Sequence, residues 1–224
     1  MKEDDVVKYL EALLSGGLAD GSEGGGQGVA AAVVSCMDGR LNEFLKPFMR
    51  VIRTAGAVTE PVEGSIGVAS DATDVTLLAT HGDCLAYQAA IRYLAACVAG
   101  KTPDLQTVRN FNRGDTKSLL VYLSTQRSLN KLPDPDDQRA QAELAIQYAV
   151  QWTSRGEANK PRVGLFVDGK GVLAAPPRVW VVSHNRLTGP ELANFLSAHG
   201  MSQKVVATHA LDYPVRPQPQ QLLR

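Results

Sequence analysis

The chain has 224 residues, 44% of them hydrophobic, with 23 Lys plus Arg balanced by 23 Asp plus Glu. That length suits one large domain with an appendage and supplies enough apolar surface for a sizeable core. A formal net charge of zero leaves no global field to gather DNA, RNA or an anionic membrane, and no local run of Lys and Arg replaces it.

Residues 1–7 are charged and carry no apolar signal region, and no stretch is long and apolar enough to span a bilayer. The expectation is a cytoplasmic protein whose thiols stay reduced. Three cysteines are an odd number for a disulfide framework, so Cys36 and Cys84 read as ligands or reactive thiols.

In chain order, residues 4–14 set Val6, Val7, Leu10, Leu13 and Leu14 on one helical stripe. A Gly-rich linker over 16–28 follows, so this helix is expected to dock its apolar face away from the main body or on a partner subunit. The apolar run 29–35 (VAAAVVS) predicts a central parallel strand. A short helix is expected over 41–48, a strand over 50–53, a turn over 54–57 and a helix over 62–72. Residues 74–80 (DVTLLAT) predict another strand and 84–99 a long helix. Strand and helix alternating in this way indicate a parallel sheet with crossover helices.

Two helices are expected over 116–128 and 136–153, parted by Pro133-Asp134-Pro135. Residues 162–167, a turn at Asp168-Gly169 and 172–174 read as a hairpin or sheet edge. A strand over 178–182, a helix over 190–199 capped by Thr188, a strand over 204–208 and an extended Pro-rich tail complete the pattern.

Two segments carry chemistry: Cys36-Met37-Asp38-Gly39-Arg40 and His81-Gly82-Asp83-Cys84. Each directly follows a predicted buried strand. Ligands in open parallel sheets bind at the carboxyl ends of strands, so Cys36, His81 and Cys84 can converge although far apart in sequence. Thiolate and imidazole are the ligands zinc prefers, and three protein ligands leave a fourth position open, as in catalytic sites. A helix starting near Cys84 would help keep that thiol ionised. Asp38 can reach the open position, to accept a hydrogen bond there or to ligate the metal. Arg40 can hold its carboxylate in a bidentate pair and keep it ionised.

C-x-D-x-R followed about forty residues later by H-x-x-C resembles the zinc signature of the β-class carbonic anhydrases. Val51-Ile52-Arg53-Thr54-Ala55-Gly56-Ala57 resembles that family's V-I-R-N-A-G segment, and the likeness runs over roughly residues 29–100. The resemblance implies a β-carbonic-anhydrase-like α/β fold, with a central, mostly parallel sheet flanked by helices. It implies one Zn²⁺ per subunit on Cys36, His81 and Cys84, with Asp38 and Arg40 as a supporting catalytic dyad. It further implies a homodimer or larger homo-oligomer and reversible hydration of carbon dioxide to bicarbonate by a zinc-bound hydroxide. The expected division is an N-terminal helix and linker (1–28), a zinc-binding α/β domain (29–211) and a tail (212–224). Thr54 stands where Asn is common, Gly82 where a larger residue is common, and Leu85 where Gly is usual. Leu85 is therefore expected to narrow or reshape the site.

Other readings stand beside this one. A hydrolase of carbonyl sulfide or carbon disulfide would use the same zinc. A non-catalytic assembly or regulatory module would use the C-terminal segment as its interaction surface. A cysteine nucleophile at Cys36 would leave His81 and Cys84 unexplained. Cys97 reads as core, Asp83 as a cap for the helix beginning at Cys84, Tyr87 and Tyr93 as packing, and His184, His199 and His209 as surface or hydrogen-bonded histidines. Whether Asp38 swings onto the metal or stays with Arg40 is open.

Overall fold

A computed structural model describes residues 31–38, 41, 49–73, 75–101, 114–128, 132–155, 161–173 and 178–198. The expected N-terminal helix and linker, the strand over 204–208, the tail, Arg40 and most of the helix expected over 41–48 lie outside these residues, as do His199 and His209.

Five strands form one sheet in the order β2-β1-β3-β4-β5. They are β1 (Ala31–Cys36), β2 (Met49–Thr54), β3 (Val75–His81), β4 (Arg162–Asp168) and β5 (Arg178–His184). The first four run parallel, and β5 pairs antiparallel with β4. Every residue of β1 and β3 is buried, as their unbroken apolar runs require of strands covered on both faces. Two threonines of β3 are hydrogen-bonded: Thr80 Oγ1 donates to the Leu165 carbonyl at 3.1 Å, and Thr76 pairs with Ser70 at 2.7 Å.

The expected hairpin through residues 172–174 is corrected. The strand that turns back on β4 is Arg178–His184, and among the described residues Val172 and Leu173 form a bend. Asp168 causes the bend, because its carboxylate accepts the N–H groups of Val172 at 2.7 Å and Leu173 at 2.9 Å and so withdraws them from a ladder.

Among the described residues five α-helices pack with the sheet: α1 (Glu63–Asp71), α2 (Leu85–Val98), α3 (Gly114–Ser128), α4 (Gln138–Ser154) and, after the last strand, α5 (Gly189–Ala198). One core lies between the sheet and α2, α3 and α4. There Val34, Leu78, Phe166 and Val182 meet Ile91, Leu123, Ile146 and Ala149. The second lies on the opposite face, where Val33, Leu77, Leu165 and Val181 meet Leu192 and Leu196 of α5. The alternation of side chains along each strand supplies both cores from one set of strands.

Helix α4 starts where Asp137 caps it, accepting the Ala140 N–H at 3.0 Å, just past the Pro133-Asp134-Pro135 break. Helix α5 starts just after Thr188, whose carbonyl accepts the Leu192 N–H at 2.8 Å and whose N–H and hydroxyl both donate to the Glu191 carboxylate. Cys97 departs from its core expectation and is exposed. The buried face of α2 ends at Leu94, and Val98 in the last turn is exposed as well.

Candidate metal centre

The carboxyl ends of β1 and β3 lie side by side in the sheet, with Ser35 opposite Ala79. Cys36 is the last residue of β1. Its backbone is held by Arg53, whose Nη1 donates to the Cys36 carbonyl at 3.1 Å, and the Met37 N–H continues the β1–β2 pairing onto the Thr54 carbonyl at 3.0 Å. His81 is the last residue of β3, and the Gly82 N–H extends the β3–β4 pairing onto the Val167 carbonyl at 3.2 Å. The chain then turns through Asp83, whose φ is 56°, and Cys84 becomes the N-cap residue of α2.

These placements bring Cys36 Sγ, Cys84 Sγ and a ring nitrogen of His81 within 4.8 Å of one another, all three residues buried. The two sulfurs are 3.7 Å apart. His81 Nδ1 lies 2.8 Å from the Gly82 carbonyl, which can only accept, so Nδ1 carries the proton. Nε2 therefore presents a lone pair, and it is buried with no hydrogen-bond partner. A buried acceptor without a donor is costly, and a cation at that point would satisfy it. The group of Cys36, His81 and Cys84 can hold a metal ion.

The contact with the Cys84 sulfur pulls Cys36 well below the ordinary thiol range, with help from the Asp38 N–H and against burial. The same contact, and then burial, push Cys84 up, while the amides of Ala86 and Tyr87 at the start of α2 oppose this. The amides at the start of α2 thus favour the Cys84 thiolate as expected, and the sulfur–sulfur contact and burial work against them. Two adjacent buried thiolates repel each other, so the second proton leaves only when a cation enters between them.

Asp38 is half-buried two residues past Cys36, and its carbonyl accepts the Leu41 N–H at 3.1 Å. Its partner in the expected dyad, Arg40, lies outside the described residues. Thr54, at the end of β2 opposite Cys36, buries an Oγ1 with no hydrogen-bond partner. Leu85, the residue after Cys84, is 67% exposed in the single chain. Gly82 has room for a Cβ, which would make only ordinary contacts with Phe166, Val172 and Asp168.

Tyr87 is buried and burial pushes its phenol well up, which suits the packing role expected of it. His184 lies at the other end of the sheet, opposite Val163 near the start of β4. Burial and the Arg186 charge lower it to about 4, and its Nδ1 accepts the Arg186 N–H at 3.0 Å, so it is a neutral, hydrogen-bonded histidine. Asp83 is not the cap residue of α2. Its carboxylate instead takes the side-chain amide of Gln88 at 2.9 Å and forms an ion pair with Lys170. No local signal marks Lys170 in the sequence, because 87 positions separate it from Asp83.

No protein-family model matches the chain. No curated protein matches it in sequence. Several solved structures are similar. The β-carbonic anhydrase CafA of the fungal pathogen Aspergillus fumigatus has 14% identity and a TM-score of 0.46, over 88% of this chain and 95% of that one. A structure of tetrameric β-carbonic anhydrases from Sordaria macrospora has 14% identity and a TM-score of 0.45, over 69% and 82%. A carbon disulfide hydrolase in its apo form has 16% identity and a TM-score of 0.36, over 74% and 82%. The first two are of the family that the sequence motifs resemble.

Proposed function

We propose that the protein is a zinc enzyme that hydrates carbon dioxide reversibly to bicarbonate. The observation that carries this is the buried Cys36–His81–Cys84 cluster with its orphaned His81 Nε2 at the carboxyl ends of two parallel strands. The donor set suits zinc: with Zn–S bonds of about 2.3 Å, a tetrahedral site sets two sulfurs about 3.8 Å apart. The sulfurs of Cys36 and Cys84 stand at 3.7 Å. Three ligands leave the fourth position for a reacting molecule.

Zinc supplies Lewis acidity there, which generates a nucleophile from water at neutral pH. The chain's own residues do the rest. Cys36 and Cys84 hold two negative charges against the cation. His81, its tautomer set by the Gly82 carbonyl, presents Nε2. Asp38, two residues past Cys36, accepts a proton-bearing group at the fourth position and so orients the nucleophile. Arg40 keeps that carboxylate ionised.

The working unit in this proposal is a homodimer in the cytoplasm, where its thiols stay reduced. Met37 and Leu85, beside the cluster, and Val51 of edge strand β2 are large apolar side chains left exposed in the single chain. Light scattering is expected to give a dimer or a larger assembly; a monomer at micromolar concentration would remove that part. No helix among the described residues is long and apolar enough to cross a membrane.

The experiment is zinc content and stopped-flow carbon dioxide hydration on one sample purified without chelator. The expected result is about one zinc per chain with fast hydration. Asp38→Ala should keep the zinc and lose about 100-fold or more in rate, the usual range for a positioned proton acceptor. Stoichiometric zinc without hydration would reject this substrate and direct the assay to carbonyl sulfide and carbon disulfide. Absence of zinc after reconstitution under reducing conditions would end the proposal.

A further inference from the structure

The loop that joins His81 to Cys84 is short and adopts a backbone that its sequence does not favour. Asp83 has φ 56°, in the left-handed region that suits glycine and, among other residues, mainly Asn and Asp. A non-glycine residue stays there only where its surroundings over-determine it. Three contacts do so. The Gly82 N–H is tied to the Val167 carbonyl of β4. Asp83 Oδ1 accepts from Gln88 Nε2 on the first turns of α2 at 2.9 Å. Asp83 Oδ2 is paired with Lys170 Nζ.

Lys170 belongs to the turn that follows β4. That turn is itself anchored, because buried Asp168 takes the N–H groups of Val172 and Leu173 and its carbonyl takes the Gly171 N–H. Lys170 therefore reaches Asp83 from a rigid base. The Asp83 carboxylate is only 12% exposed, so its charge is largely withdrawn from water and depends on that partner.

We propose that Lys170 is a positioning residue for the metal centre: its ion pair with Asp83 latches the ligand loop to β4 and sets Cys84 Sγ and His81 Nε2 at the separation a metal requires. The inference rests on the reading of Cys36, His81 and Cys84 as zinc ligands. Lys170 touches neither metal nor substrate and acts through Asp83 alone. Breaking the latch leaves the left-handed turn free to relax, and relaxation moves Cys84 relative to Cys36. Outer partners of metal ligands carry about 10- to 100-fold of affinity.

The test is zinc affinity by competition with a chromophoric chelator, the visible spectrum of the cobalt-substituted protein, and the melting temperature of the metal-free protein. The variants are Lys170→Met, Lys170→Arg and Asp83→Asn, the last keeping a residue that tolerates the left-handed backbone. The expected result is about 10-fold weaker zinc binding in Lys170→Met and Asp83→Asn, with altered sulfur-to-cobalt bands and near-native binding in Lys170→Arg. The metal-free melting temperature should stay unchanged in Asp83→Asn, which leaves no buried charge unpaired, and fall in Lys170→Met, which does. Wild-type affinity in Lys170→Met overturns the latch. So does a metal-free melting temperature of Asp83→Asn that falls in step with its affinity, which would make the ion pair structural only. A wild-type protein that binds no zinc removes the metal site itself, and the latch with it, and that outcome is separate from the other two.

Discussion

Cys84→Ser is expected to strip the protein of zinc while leaving its fold intact. Cys84 Sγ is one of two sulfurs in the cluster, and a neutral hydroxyl neither ionises near pH 7 nor binds zinc as a thiolate does. Losing an outer partner of a metal ligand costs about 10- to 100-fold in affinity, and losing a ligand itself is expected to exceed that. Zinc content should fall from about one per chain to a trace, and carbon dioxide hydration to background. Serine is chosen because position 84 is the N-cap of α2, where Cys84 provides no side-chain cap bond and Ser is a favoured residue. Helix α2 therefore starts at least as well in the variant. Circular dichroism and zinc analysis on the same sample separate the outcomes. A folded protein that keeps stoichiometric zinc would remove Cys84 from the ligand set.

Gly56→Ala is expected to be the most destabilising single-methyl change near the site. Gly56 sits in the turn after β2 with φ 67°, and a Cβ there would lie 2.8 Å from Tyr87 Cε2 and 3.2 Å from Leu119 Cδ2. Neither neighbour can withdraw easily, since Tyr87 and Leu119 are both buried. The left-handed backbone costs an alanine about 1–2 kcal/mol, and overpacking a tight core site typically costs about 1–3 kcal/mol more. Ala57, the next residue, already stands at φ 60°, so the turn carries one such strain before the change. A loss of about 2–5 kcal/mol lowers the melting temperature of a chain this size by about 5–15 °C. Displacing Tyr87 also disturbs the first turns of α2, so weaker zinc binding should accompany the loss. A melting temperature within a degree or two of wild type would show that the turn and Tyr87 relax together.

The position of the cluster has a simple origin. In a parallel sheet, neighbouring strands end at the same edge, and the loops leaving them open a crevice there. Cys36 and His81 end neighbouring strands, and Cys84 begins the helix after the second. The buried strands supply a rigid floor, and the helix start supplies amides that lie against Cys84 Sγ.

Much of this was legible locally. The runs AAVVSC and VTLLATH are too apolar for an edge, so central parallel strands follow from composition alone. The identities and strand-end placement of Cys36, His81 and Cys84 likewise follow from the two motifs. The Pro133-Asp134-Pro135 break and the Thr188–Glu191 hydrogen bonds are short-range chemistry that needs no tertiary partner. What the sequence could not decide depends on groups distant in the chain. The identity of the strand that returns on β4 was settled by Asp168 capturing the N–H groups of Val172 and Leu173. Cys97 is exposed because the buried face of α2 ends at Leu94, which helical spacing does not report. The proton balance between Cys36 and Cys84 depends on a sulfur–sulfur contact spanning 48 positions. The role of Asp83 changed for the same reason: local spacing made it a cap, whereas Lys170, brought alongside by the packing of β4 on β3, made it one half of an ion pair. Local sequence thus determined which residues stand at the ends of which elements, and only the packing of those elements decided which of them touch.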